Sequence, residues 1–224
     1  MKQNKRKLAF GLSICLFLIW WALGTGATLA WFSDIEEVRN RFRIGILNMD
    51  VSYRNDIVEE YTPRQATTKA FNDQALYEPG YTQVVYLKID NQGDLAFNYK
   101  IAVTIEGYTN GKNAQYQDIY LPDYLRYGVV FGKTEAEVET QVSERLTARA
   151  NAPYEWSVLD TWSEPAPYAF QPEEESHYAA LIVYMPEEVG NIANYRGTTR
   201  PEVKLGITVF AQQENAPFEE NTQP

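Results

Sequence analysis

One stretch constrains the fold more than any other. In LAFNYKIAVTIEG, residues 95–107, the side chains of Phe97, Tyr99, Ile101, Val103 and Ile105 fall on one face of an extended chain, and Asn98, Lys100 and Thr104 fall on the other. A two-residue period belongs to a half-buried strand, because successive side chains leave a strand on opposite sides. The period returns in EVKLGITVFAQQ with Val203, Leu205, Ile207 and Val209, and in IGILNMDVSY with Leu47, Met49, Val51 and Tyr53. YTQVVYLKID repeats it through Val85, Leu87 and Ile89. HYAALIVYMP is apolar on both faces instead, which suits a central strand whose outer face is covered by another layer.

The segments between these runs carry the turn residues of antiparallel connections: EPGY at 78–81, NQGD at 91–94 and NGKN at 110–113. Sixteen tyrosines and many β-branched residues favour the same pleated surface. The expected fold is therefore all-β, an antiparallel β-sandwich. One stretch breaks the pattern. In KTEAEVETQVSERLTARA, Thr134 and Glu137 have capping-box spacing and Val138, Val142 and Leu146 recur every four residues, so one amphipathic helix is expected from about Glu135 to Ala148, closing a crossover and packing on one sheet. The proline-rich stretch 151–172 reads as one short strand followed by an irregular loop. The polar tail 213–224 reads as disordered.

The start of the chain has the three parts of an export signal. MKQNKRK is a basic n-region, LAFGLSICLFLIWWAL is apolar, and GTGATLA supplies small residues, with Thr28 and Ala30 three and one before a cut that would leave Trp31 first. An uncut anchor is the alternative, because residues 8–32 reach the roughly twenty apolar residues a bilayer span needs. Formal charge is −10, and the first thirty residues hold four basic groups and no acid. The remainder carries 16 basic against 30 acidic groups, or −14. So acidic a body repels phosphate backbones, and nucleic acid is not an expected partner. The one cysteine, Cys15, lies in the apolar run, so disulfides cannot hold the fold together.

Residue types exclude several chemistries. A single histidine, His177, rules out a zinc site built on two or three imidazoles, and neither HExxH nor GxSxG is present. His177 reads as a surface or hydrogen-bonded structural residue. The runs Glu173–Glu175 and Glu36–Glu37 lack the spacing and glycine of an EF-hand and read as solvated charge. No catalytic, metal or cofactor residue is assigned, and the chain is not expected to be an enzyme.

Four segments, ATLAWFSDIEEVRNRFRIGILNMDV, EPGYTQVVYLKIDNQGDLAFNYKI, MPEEVGNIANYRG and LGITVFAQQ, stand in an order and spacing that resemble the TasA/camelysin family of exported Gram-positive proteins. The resemblance is weakest over 110–171. It implies a jelly-roll-like sandwich preceded by a signal helix, removal of the leader by a dedicated signal peptidase, and assembly into extracellular biofilm fibres, alone or with other matrix proteins. It also implies that the segment after the cut leaves its own subunit and adds as a strand to the next, so that membrane contact ends with cleavage. On this chain that donor segment is 31–43, with Phe32, Val38, Phe42 and the following Ile44 as its apolar side chains. The implied organisation is a signal peptide over 1–30, the donor segment over 31–43, the sandwich over 44–212 and the tail beyond.

The donor segment departs from the family picture. Arg39, Arg41 and Arg43 make it basic, and its helical tally is also good: Ser33 and Glu36 have capping-box spacing, and Trp31, Ile35, Val38 and Phe42 recur at three or four residues. Camelysins are also described as surface metallopeptidases, which gives an enzymatic alternative by name. A third reading is an adhesion or carbohydrate-binding module that presents Trp156 and Trp162 to a sugar.

Overall fold

Among the described residues, ten strands and one α-helix follow one another as β1 (Ser33–Glu36), β2 (Met49–Asn55), β3 (Thr62–Pro63), β4 (Thr82–Asn91), β5 (Phe97–Thr109), β6 (Gly111–Lys112), β7 (Asp118–Ile119), β8 (Arg126–Gly132), α1 (Glu135–Ala148), β9 (His177–Tyr184) and β10 (Glu202–Gln213). They come from a computed structural model that describes residues 33–36 (backbone only), 47–63, 69–72, 75–148, 156–197, 199–218 and 224, all within the compact unit Ser33–Pro224. The expected signal helix, the cleavage residues Thr28, Ala30 and Trp31, and the donor residues Phe32, Val38, Phe42 and Ile44 lie outside the described residues.

Every pairing is antiparallel. A five-stranded sheet has the order β3-β2-β4-β9-β8, a three-stranded sheet the order β1-β10-β5, and β6 and β7 form a separate hairpin. The alternating residues named above make the core. Leu87 and Ile89 of the large sheet and Tyr99, Ile101, Val209 and Ala211 of the small one belong to one buried cluster, so the two sheets pack face to face.

Helix α1 covers the outer face of the large sheet, and its bounds match the sequence expectation. Glu137 N donates to Thr134 Oγ1 and Thr134 N to Glu137 Oε2, each at 3.3 Å, so both halves of the capping box form. Val138 and Val142 pack with Val130, Ala180 and Ile182, which is why β9 is apolar on both faces. Arg54 of β2 reaches across to the helix, donating to Glu135 at 2.7 Å and Glu139 at 2.5 Å, with its guanidinium 4.0 Å from the Tyr86 ring centroid.

Three local expectations are corrected. First, α1 joins β8 to β9, which are hydrogen-bonded neighbours; the crossing between sheets is made after the helix, by residues 157–170. Second, of the stretch 151–172, residues 151–155 lie outside the described residues, and the described part has no strand beyond single bridges at Ser157 and Phe170. It nevertheless seals the outer edge of β5. The N–H groups of Asp160, Ser163, Ala166 and Phe170 donate to the carbonyls of Val103, Ile101, Tyr99 and Phe97 at 2.8–2.9 Å, and Asp160 Oδ1 accepts from Ile105 N at 2.7 Å. Prolines 165 and 167 suit such a cover, because they deny the next chain a regular row of donors. Third, Gln213 ends β10 and the chain then folds back, Glu214 N donating to Ala96 O at 3.1 Å and Phe218 lying 5.8 Å from Phe210, so the fold extends past the expected boundary at 212.

Two of the expected turns form where the sequence puts them. Tyr81 N donates to Glu78 O at 2.8 Å with Gly80 at φ +88°, a conformation that glycine takes at no steric cost. At NQGD, Gly93 N donates to Asn91 Oδ1 at 3.0 Å. At NGKN, however, Gly111 and Lys112 are strand β6, and the turn falls later, where Tyr116 N donates to Asn113 O.

Candidate functional site

The three-stranded sheet has two outer edges, and they are treated differently. The β5 edge is shut by 157–170. Among the described residues, β1 pairs with the β10 edge at four positions: Ser33 with Gln212, Asp34 with Ala211, Ile35 with Phe210 and Glu36 with Val209. These four are extended, so the capping-box spacing of Ser33 and Glu36 does not make a helix there. Among the described residues nothing pairs with the outer edge of β10 from Glu202 to Thr208.

Burial along β10 follows this boundary. Thr208 to Gln212 are buried, whereas Val203, Leu205 and Ile207, which lie on the core side, are only half-buried. A sheet edge of this kind presents unpaired N–H and C=O groups beside an incompletely covered apolar row. What it can do chemically is accept an extended segment. The described register ends with Glu36 opposite Val209, two residues along the strand from Ile207. The β5 register slips between Lys204 and Leu205, leaving Glu106 as the extra residue of a bulge beside this edge.

The residues singled out for chemistry are scattered. Among the described residues no group of three or more His, Cys, Asp or Glu side chains converges to hold a metal, so the donor set a metallopeptidase needs is not found there. Nor is any helix among them long and apolar enough to cross a membrane.

His177 is neither at the surface nor hydrogen-bonded. It opens β9 at 1% exposure, stacked on Phe170 with centroids 3.9 Å apart and edge-on to Tyr168 at 4.9 Å. Its Nε2 lies 3.3 Å from Glu174 Oε2, in ion-pair range but off the line of a hydrogen bond, and both ring nitrogens are unsatisfied, as are the hydroxyls of Tyr99 and Tyr168. Burial pushes the imidazole below its ordinary pKa; Glu174 opposes that shift and Lys133 reinforces it. Backbone donation from Gln171 and the Lys133 ammonium hold the Glu174 carboxyl below the usual carboxylate range. The sequence gives no sign of this cluster, since its members come from four separate segments.

Trp156 and Trp162 lie over different sheets and do not form one platform. Trp162 packs on Phe210 of the small sheet, with Lys100 Nζ 4.7 Å from its ring centroid, and burial lowers the pKa of that ammonium. Trp156 packs on Tyr184 of the large sheet, centroids 4.4 Å apart. It lines a cleft of about 270 Å³ with Arg145, Tyr184, Glu187 and Glu188. Gly128 makes room for this arrangement, because a Cβ there would stand 2.7 Å from both Arg145 and Trp156.

The described fold thus defines a class, the antiparallel all-β proteins. No protein-family model matches the chain, and no curated protein matches it.

Proposed function

We propose that this is an exported structural protein of the TasA/camelysin type, with a jelly-roll-like sandwich, that assembles into fibres of the extracellular matrix. A signal peptidase cuts between Ala30 and Trp31, and the freed segment 31–43 leaves its own subunit and adds to the β10 edge of the next. The observation that carries this reading is the edge of β10, which β1 pairs over Val209–Gln212 and where, among the described residues, nothing pairs beside the half-buried Val203, Leu205 and Ile207. Strand addition satisfies the bare main-chain groups and lets alternate side chains, here Val38 and Phe42, cover the apolar row. The compact unit also begins at Ser33, two residues after the first residue of the cut product. Head-to-tail addition does not close on itself and so produces filaments.

The test uses two singly substituted proteins, Val38→Cys and Ile207→Cys, mixed under mild oxidation after N-terminal sequencing has located the cut. Disulfide-linked dimers from the mixture, and filaments by electron microscopy that disappear when 31–43 is deleted, are the expected results. Filaments from the deleted protein would refute the reading. Sugar binding keeps one observation in its favour, the cleft beside Trp156 and Tyr184; glycan binding that is lost in Trp156→Ala would support it.

A further inference from the structure

The two ends of the sandwich carry different chemistry. At one end Met49 faces Asn91, Ile89 faces His177 and Phe97 faces Gln213. Asp50, Asp94, Glu173 and Glu175 are exposed there and make no ion pair among the described residues. At the other end β5 finishes at Thr109, opposite Glu202 where β10 begins. The β6–β7 hairpin is tied there to the chain that leads into β10: Asn113 bridges Tyr195, Ala114 N donates to Asn194 O at 3.1 Å, and Arg196 N to Lys112 O at 2.6 Å. The fit is close, since a Cβ on Gly111 would lie 2.6 Å from Pro201.

The hairpin and the chain leading into β10 turn Tyr116, Tyr195, Arg196 and Arg200 outward, beside exposed Glu202 and the Lys112–Asp118 ion pair. Tyr116 is 64% exposed and Tyr195 44%. Arg196 lies 5.2 Å from the Tyr116 ring centroid and Arg200 lies 5.6 Å from that of Tyr195, and neither arginine makes an ion pair among the described residues. Tyr116 is held at φ +62°, a backbone conformation tyrosine rarely adopts, by Asn113, whose Oδ1 accepts from the N–H groups of Gln115 and Gln117 at 2.9 Å. Tyrosine and arginine dominate the energetic centres of protein interfaces. In a chain of net charge −10, the complementary acidic surface is present on the molecule itself.

We infer that the Tyr116–Tyr195–Arg196–Arg200 platform is a docking surface for the acidic end of a second copy. The inference rests on the strand addition proposed above, and register links the two. A segment continuing from Glu36 opposite Val209 brings residue 43 opposite Glu202, at the platform. Its own subunit resumes at Leu47 and β2, at that subunit's acidic end. Four residues span at most about 14 Å, so the next copy's Asp50 and Asp94 are delivered to the two arginines.

The experiment measures filament growth by light scattering at low and high salt. The proteins are the wild type, Arg196→Glu/Arg200→Glu, Asp50→Arg/Asp94→Arg, and a protein carrying both pairs of reversals; Val38–Ile207 cross-linking is followed in parallel. Either reversal alone is expected to slow growth about tenfold at low salt, with the difference shrinking in high salt, and the combined protein to regain most of the rate. Unchanged growth in both single-end variants, with cross-links still forming, would overturn the docking surface and leave strand addition standing. Slowing by the arginine reversal without rescue by the acidic one would mean that the platform holds another anion, which also overturns it. Salt-sensitive, swap-rescued self-association with no cross-link would instead support the end contact and refute strand addition.

Discussion

Replacing Tyr99 by phenylalanine should make this protein more stable. Tyr99 is fully buried in β5, its ring 5.6 Å from that of Phe131 and 6.2 Å from that of Phe97, and a phenylalanine keeps both contacts. Its hydroxyl has no hydrogen-bond partner, and burial accordingly drives its pKa well above the ordinary tyrosine value. An unsatisfied buried hydroxyl costs about 1–3 kcal/mol relative to water, so removing it returns part of that, on the order of 1 kcal/mol. With a urea slope of about 2 kcal/mol per M for a domain of this size, the unfolding midpoint rises by roughly 0.5 M. Tryptophan fluorescence in urea measures it, and Tyr168→Phe, whose hydroxyl is also unsatisfied, should shift the midpoint in the same direction. A midpoint that falls by a comparable amount in Tyr99→Phe would refute the reasoning, because it would mean that the hydroxyl is satisfied by a bound water shared with Tyr168 and His177.

His177 sets a pH dependence of defined sign: its folded pKa is lowered by burial, so the stability of the neutral ring is full above the unfolded value of about 6.5 and is lost as pH falls below it. Urea midpoints taken through that range should drop in the wild type and stay flatter in His177→Phe; equal slopes would contradict the assignment. Arg54→Ala removes two ion pairs to a half-exposed helix face and a ring contact, for a loss of about 1 kcal/mol, and a double-mutant cycle with Glu135→Ala and Glu139→Ala should show coupling between them. Thr134→Ala, which deletes one half of the capping box, should cost about 1 kcal/mol in thermal or urea unfolding. Gly128→Ala should lower the unfolding free energy by about 1–3 kcal/mol through the clash with Arg145 and Trp156, read as a lower urea midpoint, and Arg145→Ala in the same chain should recover part of it.

Where a local pattern decides structure, the sequence was readable. The alternation of β5 and β10 follows from one face meeting the core, and α1 is bounded by a cap whose two hydrogen bonds are written in Thr134 and Glu137. Residues 157–170 were opaque for the opposite reason: their backbone is fixed by carbonyls of β5 some sixty residues earlier, and no periodicity records that. The mixed helical and extended tally around Ser33 has the same origin, since the free edge of β10 makes those four residues a strand. Which strand lies beside that edge depends on strand order, which periodicity does not carry. His177 was misplaced because its burial comes from Phe170 and Tyr168 closing over the start of β9.

The chain that shuts the flank of β5 has a consequence for the shape of any polymer. A subunit with one donor and one acceptor has a valence of two, and branching requires three. In the assembly proposed above, Asp160, Ser163, Ala166 and Phe170 occupy the β5 flank, so the three-stranded sheet would offer a second copy one main-chain acceptor edge and not two.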